Sequence, residues 1–215
     1  MLSNRLTFTV LLALCSISLA LSQELPQTQL SNLLRNVNTM SAKVQQLIVE
    51  SDGAVLEESS IQMHLLRPGG FYWETLEPFP ELVVTDGTLL WNYQPDLEQV
   101  VIEDWDSSRS ELAAELLGGR TDRLAAEYEV IKEDSNSENM TIFKLLPLDG
   151  NSLYQRINIS FEKELLFSIH LDNKNGQKTL WQFKKPQVNH QLTPGLFRFQ
   201  IPQGIDIVDN RAIAE

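Results

Sequence analysis

Apolar and polar positions alternate along this chain in three different rhythms. From Leu6 to Leu21 every side chain is apolar or small, broken only by Thr7, Thr9, Ser16 and Ser18. Arg5 is the only charged side chain before Glu24, and Ala20 and Ser22 place small residues near the end of the run. A charged start, a short apolar core and small closing residues predict a secretory signal peptide over residues 1–22, cleaved after Ser22. The run is short for a spanning helix. Beyond it, residues 23–215 read as a single domain.

The second rhythm is helical. From Leu30, apolar residues fall at Leu33, Leu34, Val37 and Met40, offsets of three, four, seven and ten, with Asn32, Arg35 and Asn36 on the opposite face. That spacing predicts one amphipathic helix, and Pro26 suits its start. A second short helix is predicted where Ser108 and Glu111 have capping-box spacing. Leu112, Leu116 and Leu117 give it an apolar stripe, and Gly118-Gly119 stop it.

The third rhythm has a period of two. It predicts strands at Val44–Glu50, Ala54–Leu66, Phe71–Leu76, Leu82–Thr85, Leu89–Tyr93, Val100–Trp105, Ala125–Lys132, Met140–Leu146, Leu153–Phe161, Leu165–Leu171, Lys178–Lys184 and Phe197–Ile201. Asp52-Gly53 and Asp86-Gly87 are hairpin signals. The fold class that follows is mainly β: a curled antiparallel sheet or open barrel of about ten to eleven strands, with short helices available to cover it. Phe71 and Trp73 lie two apart and share a face, as do Leu89, Trp91 and Tyr93. Such aromatics either fill a core or line a hydrophobic groove.

Composition narrows the function. The 215 residues carry 17 Lys and Arg against 29 Asp and Glu, a net charge of −12. Loss of Arg5 with the signal peptide makes the remainder one unit more negative. This balance argues against nucleic acid and against anionic membrane surfaces, both of which need clustered cations. Cys15 is the only cysteine, so a disulfide framework and multi-cysteine metal sites are ruled out. A lipidated Cys15 would need a small residue before it, and Leu14 stands there. His64, His170 and His190 lie in separate segments without metal-ligand spacing, and there is neither a glycine-rich phosphate loop nor a G-x-S-x-G elbow. No cofactor or metal is expected, and no catalytic constellation stands out.

Ordered blocks of residues carry a family resemblance. Arg67-Pro68-Gly69-Gly70-Phe71-Tyr72-Trp73-Glu74 is followed by Pro78, Thr85-Asp86-Gly87, Leu90-Trp91, Tyr93, Pro95 and Glu98-Gln99-Val100. Asp172-Asn173 with Gly176-Gln177 and Thr179 comes later. The series closes with Phe197, Phe199, Pro202, Gly204 and Asp206. In order and spacing these resemble the LolA family of periplasmic outer-membrane lipoprotein carriers. Glu111-Leu112-Ala113 and Met63-His64-Leu65 depart from the family pattern and bear on its lid.

The resemblance implies an incomplete antiparallel barrel whose helices close a hydrophobic cavity, and a monomeric carrier rather than an enzyme. Its cargo would be triacylated lipoproteins, its source an inner-membrane lipoprotein-releasing ABC transporter complex, and its acceptor an outer-membrane receptor lipoprotein. By the same resemblance Phe71, Trp73, Leu82, Val84 and Trp91 would line the acyl-chain cavity. Arg67 would latch the lid, and Leu33, Leu34, Val37, Leu116 and Leu117 would belong to the lid helices. Two other readings share the scaffold: a receptor lipoprotein anchored through Cys15, and a lipid-sensing periplasmic regulatory domain.

Overall fold

The computed structural model describes residues 24–105, 124 and 126–212. The signal-peptide segment and the second predicted helix, with Leu116 and Leu117, lie outside the described residues. One helix, α1 (Pro26–Arg35), precedes twelve strands: β1 (Thr39–Val49), β2 (Val55–Leu66), β3 (Gly70–Glu77), β4 (Glu81–Asp86), β5 (Leu89–Gln94), β6 (Gln99–Asp104), β7 (Tyr128–Glu133), β8 (Met140–Pro147), β9 (Tyr154–Glu162), β10 (Leu165–Asn173), β11 (Lys178–Val188) and β12 (Asp206–Asp209).

All twelve form one sheet in the order β12-β6-β5-β4-β3-β2-β1-β11-β10-β9-β8-β7. Within β1–β6 and within β7–β11 neighbours in sequence pair antiparallel, β1 joins β11 to fuse these two meanders, and β12 alone runs parallel to its neighbour β6. The edge strands β12 and β7 do not meet, so the barrel is open; its twelve strands equal the number of runs marked in the sequence and exceed the ten to eleven expected for the barrel. Local chemistry sets the turns. Gly53 takes φ +92° in the β1–β2 hairpin, and the Asp52 carboxylate accepts the Ala54 N–H at 2.9 Å. Asp86 does the same for Thr88 and Leu89 before β5.

Several boundaries differ from the sequence pattern: β1 begins at Thr39 rather than Val44, and β11 runs on to Val188 rather than ending at Lys184. The helix stops at Arg35, and Met40, expected on its apolar stripe, is instead an inward residue of β1 paired with Leu65 and Val188. It reaches the same core that Leu30 and Leu34 of the helix face. The seventh strand begins at Tyr128 rather than Ala125. The run Phe197–Ile201 is not a strand. A single 3₁₀ turn, Pro194–Phe197, drives Phe197 into the protein, and the last strand forms later at Asp206–Asp209.

The sheet curls around a core made by inward residues of β1, β2, β3 and β8–β11, closed on the open side by Leu30 and Leu34 of α1. Val44, Met63, Phe143, Leu145, Ile157 and Ile159 are wholly buried there. A second, smaller apolar layer lies outside the sheet, where the arm after β11 folds back. Phe197 packs over Gly70, at which a Cβ would come within 3.1 Å of its ring. Phe199 rests on Tyr93, ring centroids 5.2 Å apart.

Candidate functional site

Strand register separates the predicted site residues into two groups. Met63 pairs with Trp73 and Trp73 with Val83. Paired residues share a face, so Phe71, Trp73 and Val83 all point to the concave side. Phe71 and Trp73 are nearly buried there, stacked with ring centroids 6.0 Å apart. Leu82 pairs with Glu74 and Val84 with Tyr72, while Trp91 pairs with Val84. These three therefore occupy the opposite face, and the structure corrects their expected place in the cavity. Val84 is buried because that outer face also has a cover, the C-terminal arm. Alternation shows which residues travel together but not which side is inside.

The strand ends define two rims. At one rim lie the end of α1, the β2–β3 turn with Arg67, the β9–β10 turn and the start of the C-terminal arm. Beneath α1 at this rim is a hollow of about 220 Å³. Leu33, Leu34, Val37, Met40, Leu65 and Phe161 supply apolar lining, and Arg67, Lys163, Glu164 and Asn189 stand among the polar lining residues. The three lid residues predicted in the first helix, Leu33, Leu34 and Val37, thus meet one cavity, and Arg67 borders it.

Arg67 also contacts the helix. Its Nη1 donates to the carbonyl of Arg35, the last residue of α1, at 3.3 Å. The final carbonyls of a helix have no partner within it, so a multi-donor guanidinium is a suitable match. Burial pushes the Arg67 guanidinium below its ordinary pKa.

The opposite rim carries two wider hollows. One, of about 490 Å³, is lined by Trp73, Val83, Phe79 and Leu97 together with Glu57, Glu81 and Asp96. The other, of about 580 Å³, is lined by Trp181, Leu171, Tyr154 and Leu153. Between them stand Trp73 and Trp181. The Trp181 indole donates to Gln46 Oε1 at 2.6 Å. Gln46 donates to Glu57 at 3.3 Å, and the buried Ser59 hydroxyl donates to the same carboxylate oxygen. These bonds link Trp181, Gln46, Glu57 and Ser59 in one relay beside the hollow. Around this rim Val55, Leu56, Phe79, Leu97, Leu148 and Leu153 are solvent-exposed. From Val44 to Trp105 the sequence carries twelve acidic side chains and one basic one, Arg67.

Met40, Leu65, Phe161, Val188 and Asn189 were not among the predicted site residues. The alternation Ile61, Met63, Leu65 could have pointed to Leu65. Nothing local marks Asn189. Among the described residues no group of three His, Cys, Asp or Glu could hold a metal ion, and no helix is long and apolar enough to cross a membrane.

Comparison with known proteins adds to this geometry. Residues 35–200 match the family profile described as outer membrane lipoprotein carrier protein LolA. The chain is 35 % identical over 179 residues to the outer-membrane lipoprotein carrier protein of Hahella chejuensis, covering 83 % of this chain and 86 % of that one. It is 34 % identical over 180 residues to the protein of the same name from Chromohalobacter salexigens, covering 84 % and 85 %. Among solved structures, a LolA superfamily protein from Nitrosomonas europaea covers 82 % of this chain and 99 % of its own at 10 % identity and a TM-score of 0.47.

Proposed function

This chain belongs to the family of outer membrane lipoprotein carrier proteins, and from that membership we propose that it shelters the acyl chains of lipoproteins beneath α1 while they cross the periplasm. Residues 1–22 direct export and are removed. The cargo is a triacylated lipoprotein released at the inner membrane by an ABC transporter complex, and a receptor lipoprotein at the outer membrane takes it over. The chain performs no covalent chemistry in this cycle.

The observation that carries this reading is an apolar hollow under a helix whose last carbonyl is held by Arg67. Burying acyl chain is worth about 0.8 kcal/mol per methylene, so sheltering eight methylenes gains roughly 6 kcal/mol. A carrier that kept all of that gain would not release its load. The 220 Å³ hollow is below the roughly 300–1,000 Å³ of ordinary ligand sites. It favours a closed resting state that must open to load. Apparent affinity falls by the fraction of molecules that are open, so helix closure weakens binding and lets a tighter receptor take the cargo without ATP.

Co-purification from the periplasm, with mass spectrometry of bound material and of the intact chain, tests the reading. The expected result is a mature chain without Cys15, associated with acylated lipoprotein. Recovery of a chain with diacylglycerol on Cys15 would identify a membrane-anchored receptor instead. Recovery without any lipid or lipoprotein would refute the carrier.

A further inference from the structure

The link between α1 and β1 is gripped from outside by one side chain of the C-terminal arm. Asn189 Nδ2 donates to the Asn36 carbonyl at 2.8 Å, and the Asn38 N–H donates to Asn189 Oδ1 at 2.8 Å. The Asn189 backbone N–H donates to the Thr39 carbonyl, also at 2.8 Å. One residue therefore spans the whole link. The Asn36 carbonyl follows that of Arg35, which takes Arg67. Two adjacent acceptors at the end of α1 are thus held by two side chains from different parts of the sheet, and both side chains border the hollow beneath the helix.

Position makes this grip consequential. From Thr39 onward the chain is fixed between β2 and β11. For α1 to swing away from the core, the bend must fall on residues 36–38. Asn189 follows directly on Val188, which pairs with Met40, so its amide sits on the fixed side of that bend and holds the movable side. It does so at φ +55°, a left-handed conformation that asparagine visits more readily than other side chains. A terminal amide supplies both a donor and an acceptor, which the link requires at Asn36 and Asn38; no carboxylate or alkyl group offers both.

We propose that Asn189 is a second latch of the carrier, a positioning residue that sets how readily α1 lifts from the acyl hollow. The proposal rests on the carrier reading above. Arg67 holds the end of the helix with a longer bond, whereas Asn189 holds the pivot with shorter ones. Loss of either raises the open fraction and with it the apparent affinity for an acyl chain.

The test uses the purified mature chain and a fluorescent hexadecanoic acid probe. Asn189→Gly removes the side chain at a backbone angle that glycine accepts, and Asn189→Asp keeps the acceptor while losing the donor. Arg67→Leu and the Asn189→Gly/Arg67→Leu pair complete the set. Asn189→Gly is expected to tighten probe binding about three- to tenfold, to speed amide exchange in residues 30–36, and to multiply the effect of Arg67→Leu. Asn189→Asp should fall in the same direction and serves if the glycine variant does not fold. A lower melting temperature with unchanged probe affinity and unchanged exchange in α1 would reduce Asn189 to a structural role and overturn the latch alone. Absence of probe binding by the wild type and every variant would overturn the carrier reading and the latch with it.

Discussion

Trp73 on β3 and Trp181 on β11 meet edge to face, ring centroids 5.7 Å apart and planes 71° apart, although β2 and β1 lie between their strands. On a flat sheet three strand spacings amount to about 14 Å. Curling of the sheet and the reach of two indoles close that distance, so the pair bridges the concave face. Truncation of Trp73 to alanine removes one side of the bridge together with its apolar contacts to Trp181 and Phe71. The expected cost is about 3–5 kcal/mol, read as a lower urea midpoint with an unchanged slope. A loss below about 1 kcal/mol would show that the indole is not packed as described.

Arg67→Leu replaces a half-buried guanidinium by a shorter apolar side chain that cannot donate to the Arg35 carbonyl. The stability cost is expected to be modest, about 1 kcal/mol, because the bond is long and one end is exposed. Its functional effect should be larger and directional: cargo loads, but passes poorly to the receptor, because the closed state no longer competes with the bound chain. A two-component transfer assay with labelled lipoprotein checks this. Delivery at the wild-type rate would remove Arg67 from the latch.

Much of this fold is legible in the order of apolar residues. The hairpins at Asp52-Gly53 and Asp86-Gly87 fall where the sequence marks them, since both depend on local backbone chemistry. Phe71 and Trp73 are paired by a spacing of two, which strand geometry enforces. What the pattern cannot carry is the choice of face. Leu82, Val84 and Trp91 form a consistent set, yet their set faces the arm rather than the interior, and the arm is more than ninety residues away in sequence. Asn189 is harder still. It lies 151 residues from Asn38, and its role arises only when β1 and β11 are brought into register. The strand Asp206–Asp209 is likewise specified by its partner β6 rather than by its own four residues.

Two turns at the Arg67 rim touch through their glycines. Gly69 has φ +83°, and a Cβ there would lie 2.7 Å from the Gly87 Cα. Gly69→Ala therefore combines a disfavoured backbone angle with a backbone clash that no rotamer can relieve. The expected loss is about 2 kcal/mol or more, a fall of roughly 4–8 °C in melting temperature for a chain of this size. Gly150→Ala is the control, because a Cβ there meets nothing within 4 Å, and it should change stability by less than about 0.5 kcal/mol. Equal melting temperatures for the two variants would contradict the close approach of the turns.

The last prediction concerns pH. The Ser41 hydroxyl lies 2.7 Å from His64 Nδ1 and 3.0 Å from His190 Nε2, and Gln62 Nε2 lies 3.0 Å from the other His64 nitrogen. Tyr72 stacks obliquely on His64 at 5.5 Å and donates to Glu74 at 2.8 Å. A serine hydroxyl has one proton, so it donates to one imidazole and accepts from the other. Two imidazolium rings would both direct N–H at the same oxygen. Burial lowers the His64 pKa, the nearby His190 lowers it further, and Glu74 opposes both. The folded protein therefore binds the proton less readily than the unfolded chain, whose histidines titrate near 6.5. By linkage the stabilisation from neutral His64 is complete above that value and is lost as pH falls through the lower folded value. Urea midpoints measured between pH 7.5 and 5.5, above the range where carboxylates protonate, should decline with falling pH. His64→Gln should flatten that decline because its amide does not titrate. An identical slope in the variant would place the pH dependence elsewhere.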